Sequence, residues 1–245
     1  MFHDARLKID RANKHISEIQ SLVLSLEKGY VATIEVDRTT GGKSIKYECQ
    51  KFQHYLTELS LITGADVHNL RTALDYAWIS TIQGLCLPLT KWTKFPFYEN
   101  PTKLQDALRE RGIENSSPVL FKTIMTEIKP YPGGNFFLSG FHDADIMDKH
   151  KLLLPVVDCT SAEGISIQDE NGAIHEVQLI PRYGSNGVIY IDFFPNIQIQ
   201  EMGRISVSVI FHEGSPLVGS AIPEDLFAFS HFALKLIESL EQLIP

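Results

Sequence analysis

The sequence contains no run of apolar residues near the length of about 18 that a membrane helix requires. Its first ten residues, MFHDARLKID, have no apolar stretch after the charges and do not resemble a secretory signal. Positive charge is also scarce: 22 Lys and Arg face 30 Asp and Glu, which gives a formal net charge of −8. This balance argues against a surface that neutralises many phosphates. We expect a soluble, cytoplasmic protein without membrane association and without an extensive nucleic-acid surface.

Cysteine is rare as well. The three cysteines, Cys49, Cys86 and Cys159, are odd in number, and they lack the short paired spacings of zinc or redox sites. We expect buried or free thiols. A composition with 44% hydrophobic and 21% charged residues is typical of globular proteins, and 245 residues are enough for a sizeable core. We expect residues 1–245 to form a single domain.

The motifs of the common cofactor enzymes are missing. The sequence has no Gly-x-Ser-x-Gly, no phosphate-binding Gly-x4-Gly-Lys-Ser/Thr and no Gly-x-Gly-x-x-Gly after a strand. The doublet His142-Asp143 matches part of a metal phosphohydrolase signature, but His3-Asp4 matches it equally well. We therefore predict no metal site and no cofactor.

Three long segments carry apolar residues at alternating spacings of three and four, which is typical of one buried helix face. We predict helices over about 4–28, 51–85 and 223–243. Gly64 is expected to interrupt or bend the second helix. The apolar stripe of the first helix is three heptads long, which favours packing within the chain but leaves a homodimer through the long helices open.

Between these helices, proline punctuates residues 86–132, which we interpret as a connecting arm with short helices near 102–111 and 117–127. A further helix is predicted over 141–154. After it, the pattern changes from helical spacing to β-rich runs separated by turn residues.

Two β-branched runs within residues 30–49 are joined by Thr-Thr-Gly-Gly and predict a β-hairpin. Four later runs predict an antiparallel sheet of meandering strands, near 164–168, 174–180, 188–193 and 205–211. The fold class is therefore α+β, with long amphipathic helices packed together with an antiparallel β-sheet and a C-terminal helix. Residues 1–155 would be mainly helical, and residues 156–245 would form the sheet and the last helix.

A polar trio interrupts the apolar face of the second helix. At about 100° per residue, His68, Arg71 and Asp75 lie within roughly 60° of one another on a single face, so their side chains can touch. Because Arg71 and Asp75 have i, i+4 spacing, they can form an ion pair. Two interpretations stay open: an internal salt bridge that fixes helix register, or a pocket where Arg71 binds an anion and His68 acts as acid or base.

A second polar segment occurs in FHDADIMDKHKLL. Asp145 and Lys149 have the favourable i, i+4 spacing, and Asp148, His150 and Lys151 lie beside them. The sequence leaves open whether this segment faces the polar trio.

The strings HNLRTALDYAW and DKHKLLLPV resemble a group of uncharacterised bacterial and phage-associated proteins. Their hallmark is His-Asn-Leu-Arg-Ser-Ala-Leu-Asp-His on a helix, followed later by Asp-Lys-His-Arg/Lys. The resemblance covers about residues 50–240 in the order of elements and implies no known activity. It implies that the shared polar positions are His68, Asn69, Arg71, Asp75, Asp148, Lys149 and His150.

The same helix has a distant likeness to HEPN-type ribonucleases, which carry Arg-x4–6-His. Here Tyr76 stands where the imidazole would be, and a phenol with a pKa near 10 is a poor substitute for it at neutral pH. The likeness therefore implies a helical relative rather than an active nuclease of that type.

Two function classes follow. The first hypothesis is a protein that binds a ligand, such as a small anionic molecule, or a partner through the polar cluster on the central helix. The alternative is a hydrolase or nuclease of unfamiliar type that uses the same cluster.

Overall fold

The computed structural model describes residues 1–244, and these form two compact units. The helical unit contains residues 1–18, 61–153 and those from 211 onward. The sheet unit contains residues 19–60 and 154–210. Together they make the α+β fold that the sequence predicts.

The α-helices of the described residues include the three long ones that the apolar periodicity predicts. Their bounds are α1 (His3–Lys28), α2 (Phe52–Gly84), α3 (Pro101–Glu110), α4 (Ile113–Ser116), α5 (Pro118–Thr123), α6 (Phe136–Asp148) and α7 (Ile222–Gln242). A π-helical turn, Ile124–Ile128, follows α5. Among residues 1–244, no helix combines the length and hydrophobicity needed to cross a bilayer.

The apolar stripe of α1 is buried within the chain. Its fully covered members are Ile9, Ala12, Ile16, Ile19 and Leu26. The apolar face of α1 therefore packs against other parts of the same chain, which is one of the two alternatives that the sequence left open.

The helix predicted over 141–154 is wrong at both ends, because α6 begins at Phe136 and ends at Asp148. The start is set by Asn135, whose side chain accepts a 3.1 Å hydrogen bond from the Leu138 amide. Local capping thus decides where the helix begins. His150 lies in the turn after the helix and not on it.

Helix α2 is continuous through Gly64, so the expected interruption there is also wrong. A Cβ at this position would lie 2.4 Å from both carboxylate oxygens of Asp148. The glycine therefore permits a close approach of the Asp148 side chain.

The helical unit has an aromatic core between α6 and α7. The rings of Phe141 and Phe229 stack with centroids 3.9 Å apart, and both side chains are fully buried. Phe137 meets Phe229 edge to face at 5.4 Å. This packing buries the face of α6 that carries Phe137 and Phe141 against α7, so the polar residues of α6 lie on its other faces.

The sheet unit contains two sheets. The strands are β1 (Tyr30–Val36), β2 (Lys43–Cys49), β3 (Pro155–Gln168), β4 (Ile174–Glu176), β5 (Arg182–Tyr183), β6 (Ile189–Phe193) and β7 (Gln198–Phe211). One sheet has the order β1-β2-β6-β5 and the other has the order β4-β3-β7.

The predicted hairpin is confirmed, with Ile34 opposite Ile45 and Gly41 at φ 72° in the connection. The prediction that the later strands form one meander is wrong, because β6 pairs with β2, where Ile45 lies opposite Ile191. Alternating burial on β2 explains this pairing: Ile45 and Tyr47 point inward and need an apolar neighbour on each side.

Candidate functional site

Helices α2 and α6 of the helical unit lie antiparallel. Polar contacts join Arg71 with His142 and His68 with Asp145, and the side chain of Asp148 approaches Gly64 closely. The second polar segment therefore does face the polar trio, a question that the sequence left open. These contacts place Arg71 and Asp75 in one group and His68 in another.

Arg71 forms the buried centre of the site. It is 7% exposed, and its Nη1 lies 2.6 Å from Asp75 Oδ1. The contact is an ion pair without the alignment of a hydrogen bond. The i, i+4 pair expected from the sequence is thus confirmed, and the guanidinium charge is balanced inside its own helix.

Asp75 also fixes a neighbouring segment. Its Oδ1 accepts a 2.8 Å hydrogen bond from the Phe95 amide. Two residues later, the ring of Phe97 lies under the guanidinium, with Arg71 Cζ 4.4 Å from the ring centroid. Through these contacts α2 positions the Phe-Pro-Phe segment that precedes α3.

His142 completes the group. Arg71 Nε donates to His142 Nδ1 at 3.2 Å, and the imidazole stacks on Phe97 with centroids 4.2 Å apart and planes 3° from parallel. Because an arginine can only donate, Nδ1 must carry a lone pair and the neutral ring must carry its proton on Nε2. Burial and the positive charge of Arg71 lower the pKa of His142 to about 4. His142 is therefore a neutral Nε2–H donor at physiological pH.

His68 is not part of this group, so the contact among all three members of the trio that helix spacing permits does not form. Its Nδ1 lies 2.9 Å from Oδ1 of Asp145, whose other oxygen is 2.5 Å from Lys149 Nζ. The partner comes from α6, so helix spacing alone could not reveal it. Asp145 is 3% exposed, whereas the side chain of His68 is 54% exposed. An ionised carboxylate can only accept, so His68 donates to Asp145 through Nδ1, and its Nε2 lies 3.5 Å from Thr72 Oγ1.

A pocket of about 330 Å³ opens beside His142. Its apolar wall is formed by Phe97, Tyr98, Pro130, Tyr131, Pro132 and Ile146. The Tyr98 amide donates to the Pro130 carbonyl at 3.2 Å and so ties two of the lining segments together. Ser139, His142 and Asp143 line the pocket from α6 and, together with Ile146, follow the three-and-four spacing of one helix face. We call this cavity the α6 pocket.

The charges around the α6 pocket are unevenly paired. Lys103 and Glu99 form an ion pair on its rim. Asp143 also lines the pocket, and within residues 1–244 its carboxylate has no ion-pair or hydrogen-bond partner. Partial burial raises the pKa of the Asp143 carboxyl above its usual range. The His142 Nε2–H is likewise without a hydrogen-bond partner in this part of the chain.

The remaining predicted residues lie elsewhere. Asn69 faces α1, where its Oδ1 accepts from Lys8 Nζ at 3.1 Å, and together with Tyr76 it lines a different, open pocket of about 350 Å³. Asp148 accepts a 3.3 Å hydrogen bond from the Leu153 amide and contacts Gly64. His150 is exposed.

Sequence reasoning missed several residues that build the site. His142 stood out only as half of a weak metal motif, Asp145 only as a partner of Lys149, and Phe97 not at all. The signal that could have found the pocket is the Phe-Pro-Phe string in the proline-rich arm, since apolar aromatic residues in such an arm need a surface to pack against.

No group of three His, Cys, Asp or Glu side chains within residues 1–244 is arranged to hold a metal ion. The cysteines Cys49, Cys86 and Cys159 are free. Comparisons of the chain with family models, curated proteins and solved structures gave no match. The function must therefore be argued from the geometry of the site.

Proposed function

We propose that the protein binds a small, flat molecule in the α6 pocket and that His142 is the residue that orients it. A volume of about 330 Å³ falls in the lower part of the range for ligand pockets, roughly 300–1,000 Å³. Rings of Phe97, Tyr98 and Tyr131 provide flat apolar surfaces, which suit stacking against a planar ligand.

The observation that carries this proposal is the Arg71 to His142 hydrogen bond. It blocks Nδ1, fixes the tautomer and leaves one defined donor at the pocket wall. Contacts with Phe97 and Arg71 hold the His142 ring in place, and Asp75 in turn holds Arg71. Because the ring is already immobilised, ligand binding loses little conformational entropy at His142. A ligand with a hydrogen-bond acceptor gains orientation from it.

The same geometry supports binding better than hydrolysis. A histidine with a pKa of about 4 and an occupied Nδ1 is a weak base at neutral pH and has no second proton to give. His68 has the better base geometry through Asp145, but it does not line the α6 pocket. The hydrolase hypothesis therefore ranks second.

Arg71 is also a poor candidate for an anion clamp. Its charge is balanced by Asp75, its Nε is used by His142, and 93% of its accessible surface is covered, since 7% remains exposed. A negatively charged ligand would have to displace one of these partners. The role that fits Arg71 is to position His142.

The proposal is tested with three probes of the same shape: benzamide, benzamidine and benzoate. We expect at least one of them to shift the amide NMR signals of α6 and of residues 97–98 in a saturable way. Ile146 lines the pocket and is 44% exposed, so Ile146→Trp should fill the cavity, keep the fold and abolish these shifts.

The matched control is Val119→Trp, which adds the same indole at a 61% exposed position on α5 outside the pocket. This variant should bind like the wild type. If no probe produces saturable shifts at millimolar concentration, or if Ile146→Trp leaves them unchanged, the proposed function is wrong.

A further inference from the structure

We propose that the α6 pocket selects planar molecules that carry an N–H donor beside an acceptor, as in a carboxamide or an amino-substituted heterocycle, and rejects carboxylates of the same shape. This inference rests on the proposed function, because it names the ligand class of the same pocket. It follows from the polar groups of the pocket that have no partner.

The first of these groups is the His142 Nε2–H. It is a donor of fixed tautomer, and the hydrogen bond of His142 within residues 1–244 is made by the other ring nitrogen, Nδ1. A ligand must offer it an oxygen or a ring nitrogen with a lone pair.

The second group is the Asp143 carboxylate. It follows His142 directly on α6, and both residues line the same cavity. An ionised carboxylate can only accept hydrogen bonds, and it therefore requires an N–H or O–H on the ligand.

The charge balance of the pocket favours the same class of ligand, a planar molecule with an N–H donor and no negative charge. Glu99 is neutralised by Lys103, which is spaced i, i+4 on the rim. Among the charged residues lining the pocket, Asp143 is thus the one without a counter-charge in the described part of the chain. An anionic ligand would meet uncompensated negative charge, whereas an amide or a cationic amidine would not.

The three isosteric probes measure this selectivity directly by NMR titration at pH 7.5. Benzamide offers an acceptor and a donor, benzamidine offers donors and positive charge, and benzoate offers acceptors and negative charge. We expect the dissociation constant of benzoate to be at least about tenfold higher than that of benzamide, the factor that corresponds to roughly 1.4 kcal/mol.

Asp143→Asn removes the negative charge while keeping the shape of the side chain. In this variant we expect benzoate to bind within about threefold of benzamide. The matched control is Glu127→Gln, which makes the same change in net charge at an exposed residue outside the pocket and should preserve the tenfold preference.

The outcomes separate the two proposals. Absence of saturable binding for all three probes contradicts the proposed function. Saturable binding in which benzoate equals or exceeds benzamide, or in which Asp143→Asn leaves the preference unchanged, overturns the inference about ligand class and leaves the binding function in place.

Discussion

Helix α2 carries two groups of polar residues that differ in how their atoms are satisfied. Around Arg71, the guanidinium takes part in an ion pair, a ring contact and a hydrogen bond to His142, and its Nη1, which makes no hydrogen bond, lies 2.6 Å from the Asp75 carboxylate. Around Asp66, both carboxylate oxygens are buried without a hydrogen-bond partner among the described residues, as are Thr63 Oγ1 and His15 Nδ1. The nearest ionisable contact of Asp66 is His15 on α1, at 3.9 Å.

The difference shows how burial and pairing combine to set charge. Asp66 is completely buried and unpaired, and burial raises its pKa to about 8. Burial, together with the charge of Arg11, lowers the pKa of His15, with Glu18 opposing the change. Asp66 and His15 are therefore neutral in the folded protein near pH 7, whereas Arg71 and Asp75 lie close enough to compensate each other's charge.

The largest expected effect concerns Asp66. Its pKa is higher in the folded than in the unfolded chain, so folding retains a proton, and stability is lost as pH rises toward 8. His15 has a lowered pKa, so its contribution is lost only below about pH 6.5. Between pH 6.5 and 8, the free energy of unfolding should fall by up to about 1.4 kcal/mol per pH unit.

Asp66→Asn removes this titration and should raise the free energy of unfolding at pH 8 by up to about 6 kcal/mol, which is the rise of the Asp66 pKa from 3.8 to about 8 multiplied by about 1.4 kcal/mol per unit. Urea denaturation at half-unit pH intervals measures both the slope and the gain. A flat profile in the wild type would mean that Asp66 and His15 ionise together as a pair, and the contrast between the two polar groups would disappear.

The next effect concerns Arg71. Arg71→Met keeps an unbranched side chain but leaves Asp75 without its counter-charge, and we expect a loss of about 3 kcal/mol in the free energy of unfolding. Arg71→Lys should recover only part of this loss. The single ammonium nitrogen of lysine cannot reproduce the two separate contacts that the guanidinium makes, one with Asp75 through Nη1 and one with His142 through Nε.

His150→Ala provides the control for this comparison, because His150 belongs to the same predicted set but is exposed. Its substitution should change stability by less than about 0.5 kcal/mol. Equal stability of Arg71→Met and the wild type would contradict the account of Arg71 as a buried, paired group.

The parts of the fold that the sequence predicts are those set by local pattern. Periodicity identified α1, α2 and α7, and turn composition identified the hairpin. The same kind of local spacing identified the pairs Arg71 with Asp75 and Asp145 with Lys149. Pairing of β6 with β2 joins strands far apart in the chain, and no local pattern contains that information.

The site depends on contacts of the same long-range kind. His68 and Asp145 are separated by 77 residues, and Arg71 and His142 by 71. Helix spacing places the side chains of α2 on a face but does not identify which residue of α6 will meet them. For this reason helix spacing alone suggests one converging trio. In the structure, Arg71 contacts Asp75 and His142. His68 instead contacts Asp145, which also binds Lys149.

The smallest expected effect concerns the protonation of the His142 imidazole, and its measurement is also the most direct test of the proposed role of His142. A ¹⁵N-resolved NMR titration of the His142 ring should show the Nε2–H tautomer, no protonation above about pH 5, and a raised pKa in Arg71→Met. A wild-type ring that titrates near pH 6.5, or that carries its proton on Nδ1, would contradict the claim that Arg71 holds His142 as a neutral donor at the wall of the α6 pocket.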